Sequence, residues 1–275
     1  GVPVSRPVAM HTGVVSVSAI LLYVLAALRT AAVLRAVTGE APGARRQGLW
    51  LGFLALVLHA YALWHGIVSA QGLNLSLFNT LSLVAWTVAA LVLVTTVSRP
   101  LEVLVVLMLP AAAVAVGLDL LLPGHRILPR ETPFGLELHV LFAILAYSVL
   151  TVAAIEALAV AFAERRLRDR RPTLVIHLLP PLRTMEDLLF QLIGTGVLLL
   201  TIALVAGFMF VEDLFAQHLV HKTVLSVLAW CIFAVLLWGR RQFGWRGIRA
   251  VRYTLAGFVV LMLAFFGSKV VLELV

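Results

Sequence analysis

His59 and His65 lie in one apolar stretch, His139 opens another, and His218 and His221 sit together between two more. These five imidazoles are where the chain can be read for chemistry. A neutral imidazole presents one ring nitrogen as donor and the other as acceptor or metal ligand, and the donor's partner sets which is which. Ionisable groups are costly inside a bilayer, so each embedded one marks a candidate site.

His59 falls about eleven residues into its stretch, near mid-membrane at about 1.5 Å of rise per residue. It is a candidate ligand, with a hydrogen bond to a neighbouring helix as the alternative. His65 lies further along the same helix and, at about 100° per residue, is turned roughly 120° from His59, so one face cannot present both. His139, in PFGLELHVLFAILAYSVL, lies about a turn below the surface. Its apolar neighbours suit a flat macrocycle, and its neutral imidazole suits haem iron. Glu137 reads as an interfacial carboxylate. In VEDLFAQHLVHKTVLS, the three-residue spacing puts His218 and His221 on one face if the segment is helical. That arrangement suits a metal or a porphyrin edge, and equally an interfacial helix with Phe215 and Leu219 in lipid. Lys222 would pair with a propionate or snorkel to headgroups. His11 and His125 fall in loops on the same side, and His177 falls on the other.

The elements that must position these residues are eight apolar runs, at about 10–34, 48–70, 77–97, 101–122, 134–162, 185–211, 223–239 and 250–272. Each is near or above the roughly 18 to 20 residues a helix needs to cross a hydrocarbon core of about 30 Å. With 62% hydrophobic and 12% charged residues, the chain has too little polar surface for a soluble eight-helix protein. The sequence therefore predicts an all-α, polytopic membrane protein, a bundle of eight transmembrane helices forming one integral membrane domain over residues 1–275.

Alternate loops collect 16 of the 21 Lys and Arg residues. These include Arg45, Arg46, Arg99, Arg165, Arg166, Arg168, Arg240, Arg241 and Arg246. Cytoplasmic loops carry such an excess, so both termini are expected on the periplasmic side of a bacterial inner membrane. The net charge of +8 is then a topology signal and a contact for anionic membrane lipids. Nucleic-acid binding does not follow from it, because the arginines lie in short juxtamembrane loops without interleaved aromatics. The longest connection, Glu164 to Thr184, reads as a basic helix extension broken at Pro172. Cys231 is the one cysteine, which excludes a CxxC redox pair, a CxxCH attachment signature and an intrachain disulfide. P-loop, GxSxG, HExxH and GxGxxG motifs are absent too, so no common catalytic motif speaks for an enzyme.

The C-terminal third, from HKTVLSVLAW through the GWRG turn to FFGS, resembles the cytochrome c assembly protein family. These are multi-spanning haem-handling proteins of the CcsA kind, with shorter eight-helix relatives of the HemX kind. LHVLFAILAYSVL resembles the family helix that carries an outward-facing haem-ligand histidine, and that role maps onto His139. The similarity covers most of residues 70–273. VEDLFAQHLVHK lacks the tryptophans of haem-exporting members, and Trp238 stands where larger members have a histidine. The resemblance is accordingly nearest to the shorter relatives.

It implies a factor of cytochrome c assembly or tetrapyrrole metabolism. Such a factor would hold haem b near the periplasmic face, with His139 as one axial ligand and His59, His218 or His221 as the second, beside other cytochrome assembly proteins. Two rivals remain at this stage. One is a small-solute or ion transporter lined by His59, Asp119 and Glu137. The other is a structural subunit whose histidines serve only interhelical hydrogen bonds. Gly194, Gly196 and Gly207 read as close-packing positions.

Overall fold

A computed structural model describes residues 6–35, 42–69, 72–98, 101–124, 127–129, 133–168, 181–210 and 217–267. Its helices are α1 (Arg6–Arg35), α2 (Pro42–Ile67), α3 (Leu77–Ser98), α4 (Glu102–Leu121), α5 (Phe134–Arg168), α6 (Leu182–Phe210), α7 (Gln217–Phe243) and α8 (Gly247–Met262). A π-helical turn, Leu263–Gly267, continues α8. Eight helices are long and apolar enough to cross a membrane. The chain is a multi-pass, predominantly helical membrane protein. The described helices gather into two compact units, residues 1–131 and 132–275.

In the first unit α1 packs on α2 and α4, and α3 on α2 and α4. Small residues at helical spacing make this approach close. Ala19, Tyr23, Ala26 and Thr30 form the buried stripe of α1, and Ala55, His59, Leu63 and Ile67 continue the buried face of α2. A Cβ at Gly48 would lie 2.8 Å from Thr30 Oγ1, and one at Gly52 would lie 2.7 Å from Leu93. Helices in lipid associate through such close packing and a few polar bonds, since burying apolar surface gains little there. One such bond runs from Trp86 Nε1 to the Leu56 carbonyl at 2.9 Å. At the start of α4, Glu102 accepts Arg45 Nε at 2.6 Å, and Arg45 Nη2 reaches the Thr96 carbonyl at 2.7 Å.

The connections at the other end of this unit form a small antiparallel sheet that the all-α reading did not anticipate. Its strands are β1 (Val68–Ser69), β2 (Gly72–Asn74) and β3 (Ile127–Pro129). Val68 pairs with Leu73, and Leu73 with Leu128. Gly72 has φ 143, a backbone setting that favours glycine. Asn79 secures the base of the sheet by donating to the carbonyls of Gly66 at 3.3 Å and Asn74 at 3.2 Å.

In the second unit α5 packs on α6 and α8, and α7 on α6 and α8. Gly196 abuts Leu150 and Gly257 abuts Phe233, as close-packing glycines do, whereas Gly194 faces open space. The GWRG run is the turn joining α7 to α8. Gly244 has φ 64 and Gly247 φ 58; Gly244 donates to the Arg240 carbonyl at 3.2 Å and closes the α7 C-terminus. Glu186 of α6 then accepts Arg246 Nε at 3.0 Å and the Gly247 N–H at 2.9 Å. This carboxylate caps the N-terminus of α8, where free backbone donors and the helix dipole favour negative charge.

Candidate functional site

His139 occupies a notch in α6. Its Nδ1 lies 2.7 Å from the carbonyl oxygen of Ala203. A carbonyl only accepts, so Nδ1 carries the proton and Nε2 keeps its lone pair. Ala203 is also the residue four before Gly207, whose backbone N–H it receives in a regular helix. The missing side chain at Gly207 opens this flank of α6, and a Cβ there would stand 3.0 Å from both Cε1 and Nδ1 of the imidazole. The ring is half-buried. No group among the described residues bonds its Nε2. A histidine whose remote nitrogen is held by a backbone carbonyl, with the other nitrogen unspent, has the build of a metal or haem-iron ligand.

His59 is built the other way. It is fully buried, at 0% exposure, and both ring nitrogens are engaged. Nδ1 lies 3.1 Å from Tyr23 Oη of α1, and Nε2 lies 3.0 Å from Ser82 Oγ of α3. Ligation by His59 would break one of these bonds inside a closed core. The sequence left a ligand and an interhelical bond open for this residue, and the geometry is that of the second.

The remaining candidates scatter. His65 is exposed, with its ring 4.5 Å from that of Tyr61. Glu137 is exposed at the start of α5, and His11 is exposed on α1. The segment holding His218 and His221 is helical from Gln217, so the three-residue spacing does place both on one turn. His221 is exposed there, while the side chain of His218, along with His125, His177 and Pro172, lies outside the described residues. Among the described residues no group of three or more His, Cys, Asp or Glu could hold a metal ion. A bare metal centre therefore has no cage among the described residues. Haem iron needs only one or two protein ligands, which fits a solitary prepared imidazole.

Sequence reasoning missed the partners of both histidines. Ala203 acts through its backbone, so no side-chain pattern announces it; the available signal was Gly207 within an apolar run. Tyr23 and Ser82 become visible only once helices are set in register. Glu156 was missed as well. It is 1% exposed within α5, and among the described residues its Oε1 has no hydrogen-bond partner.

Comparison with known proteins places most of the chain in one family. The model of the cytochrome C assembly protein family matches residues 48–275, which extends the region read from sequence motifs upstream into α2. Inner membrane protein YpjD of Escherichia coli K12 is 33% identical over 235 residues, 85% of this chain and 89% of that protein. The cytochrome c biogenesis protein CcsA of Gloeothece citriformis is 28% identical over 98 residues, 35% of this chain and 30% of the relative. That of Gloeobacter violaceus is 30% identical over 86 residues, 30% and 25% of the respective chains. No solved structure matches the chain. Four-fifths of the sequence thus falls under one family model, and the YpjD match runs over most of both proteins: the chain belongs to the cytochrome c assembly protein family.

Proposed function

We propose that the protein is a haem-handling factor of the bacterial inner membrane, acting in cytochrome c assembly or tetrapyrrole metabolism without turnover of its own. The observation that carries this is the state of His139: Nδ1–H is committed to the Ala203 carbonyl at 2.7 Å, and Nε2 remains available in a notch shaped by Gly207. Family membership supports it, as do the relatives named for cytochrome c biogenesis and for the inner membrane.

Haem b is the ligand this reading favours; His139 Nε2 would hold its iron, with His221 or His218 as candidates for a further imidazole. Haem iron supplies the Lewis acid, and the protein supplies a tautomer fixed in advance by its backbone partner. His59 is given no ligand role. One or two imidazole ligands and no covalent attachment suit a carrier that must release its load. Thiols for attachment would come from a partner, since Cys231 is the chain's single cysteine. Both termini face the periplasm in this reading, and the arginines at the ends of α5 and α7 face cytoplasmic headgroups and other assembly proteins.

The test is titration of the purified apo-protein with haem, followed in the visible spectrum. The wild type is expected to give a six-coordinate, low-spin Soret band and His139→Ala to lose it. An unchanged band in His139→Ala would overturn the assignment.

A further inference from the structure

At the end of the second unit where α7 turns into α8, the described carboxylates each hold a different arginine. Glu164 pairs with Arg168 at 3.2 Å, Glu186 with Arg246 at 3.0 Å, and Asp187 with Arg240 at 3.3 Å. Arg249 and Arg252 are left out of this pairing: no ion pair among the described residues reaches either guanidinium. Both are exposed, and they lie on α8 in line with the exposed Ala256 and Val259. Steps of three and four residues keep these positions on one helix face. The opposite face, with Ala250, Val251, Thr254, Gly257 and Leu261, is buried, and α8 packs on α5 and α7. The exposed stripe therefore turns to lipid, with two uncompensated cations at its head.

Aromatic rings frame that head. The Arg249 guanidinium carbon lies 5.5 Å from the centre of the Trp245 ring, and that ring lies 5.0 Å from Tyr253 and 6.2 Å from Phe243. Trp245 is half-buried and seated where Gly239 has no side chain; its backbone N–H donates to the Gly239 carbonyl at 3.3 Å. Aromatic rings of this kind mark headgroup depth. A guanidinium facing lipid is costly unless an anion meets it, and phosphate is the anion that a bilayer surface offers there. The planar fork of arginine suits it, since one guanidinium can donate to two phosphate oxygens at once.

We propose that the Arg249–Arg252 face of α8 binds one anionic phospholipid. Its phosphate bridges the two guanidiniums, whose Cβ atoms stand about 5–6 Å apart as i,i+3 neighbours do, and an acyl chain lies along Ala256 and Val259. The stripe decides between this ligand and a soluble anion, which has no use for an apolar track leading away from the charges. The general attraction of basic loops for headgroups treats all arginines alike, whereas this site assigns two of them to a single lipid. It does not depend on haem binding and is tested without it.

The experiment is native mass spectrometry of the full chain in detergent, with dioleoyl phosphatidylglycerol or dioleoyl phosphatidylethanolamine added at equal concentration. The wild type is expected to retain one phosphatidylglycerol in preference to phosphatidylethanolamine. Arg249→Gln combined with Arg252→Gln is expected to lower the phosphatidylglycerol affinity about tenfold or more. Arg165→Gln combined with Arg183→Gln removes the same charge from two other exposed positions, on α5 and α6, and should bind as the wild type does. Equal retention of the two lipids by the wild type, an unchanged affinity in the Arg249 and Arg252 variant, or an equal loss in both double variants would overturn the proposal. So would a wild-type site that inorganic phosphate fills as readily as the lipid, or a lipid-free wild-type dimer that dissociates in the Arg249 and Arg252 variant.

Discussion

The two units each bury a histidine against a neighbouring helix, yet they leave the ring in opposite states. His59 spends both nitrogens on side chains, Tyr23 and Ser82, inside a buried core. His139 spends one nitrogen on a backbone carbonyl and keeps the other. Depth in the membrane, which makes His59 the costlier residue, does not decide which one can ligate. The occupancy of the second nitrogen does. A backbone acceptor also differs from a side-chain partner in kind: it cannot rotate away or change protonation, so it holds one tautomer permanently.

The largest effect that can break this contrast is a bulky residue at Gly207. A Cβ already stands 3.0 Å from the His139 ring, so Gly207→Leu must expel the imidazole from its notch. Loss of an orienting outer partner costs about ten- to a hundredfold in metal affinity, and a comparable fall in haem affinity is expected by spectroscopic titration. Gly194→Leu, at a position with open space, is the control and should bind as the wild type does.

Next in size, His59→Leu strands the Tyr23 hydroxyl and the Ser82 hydroxyl in the core. An unmet buried polar group costs about 1–3 kcal/mol, so a clear fall in the thermal midpoint in detergent is expected, with haem titration unchanged. Should His59→Leu instead remove haem binding at full stability, the contrast between the units is reversed.

A smaller loss is expected for Glu186→Ala. The substitution removes the carboxylate that meets the Gly247 N–H and Arg246, and a lost cap costs about 0.5–2 kcal/mol. Its signature is earlier unfolding of the second unit, with protease sensitivity appearing first at the turn between α7 and α8. Smallest is Glu102→Gln in the first unit. Its partner Arg45 is 36% exposed, and ion pairs of that kind contribute about 0–1 kcal/mol. A thermal midpoint that is nearly unchanged and insensitive to added salt is the expected outcome.

Much of the architecture was legible in the sequence, because apolar runs of membrane-crossing length leave few alternatives in lipid. The ends were legible in part. The basic helix extension read from Glu164 is borne out as far as Arg168, since Arg165, Arg166 and Arg168 belong to the last turns of α5: a helix continues past the bilayer wherever its residues allow. The helix of His218 and His221 starts at Gln217, ahead of the run at 223, for the same reason. The sheet was not legible: β1 and β2 are two and three residues long, too short for alternation to show, and β3 pairs with β2 from a distant loop. At the candidate site, His139 stood out in the sequence by type and setting. The hold of the Ala203 carbonyl on its ring and the notch left by Gly207 did not, because neither involves a side chain. The role of His59 needed two other helices in register, which no local pattern encodes.

The most direct measurement is a paired haem titration of His139→Ala and His59→Leu, read by the Soret band of each against the wild type. The account predicts that the band disappears in His139→Ala and persists in His59→Leu. A band retained without His139, or lost only without His59, would contradict it.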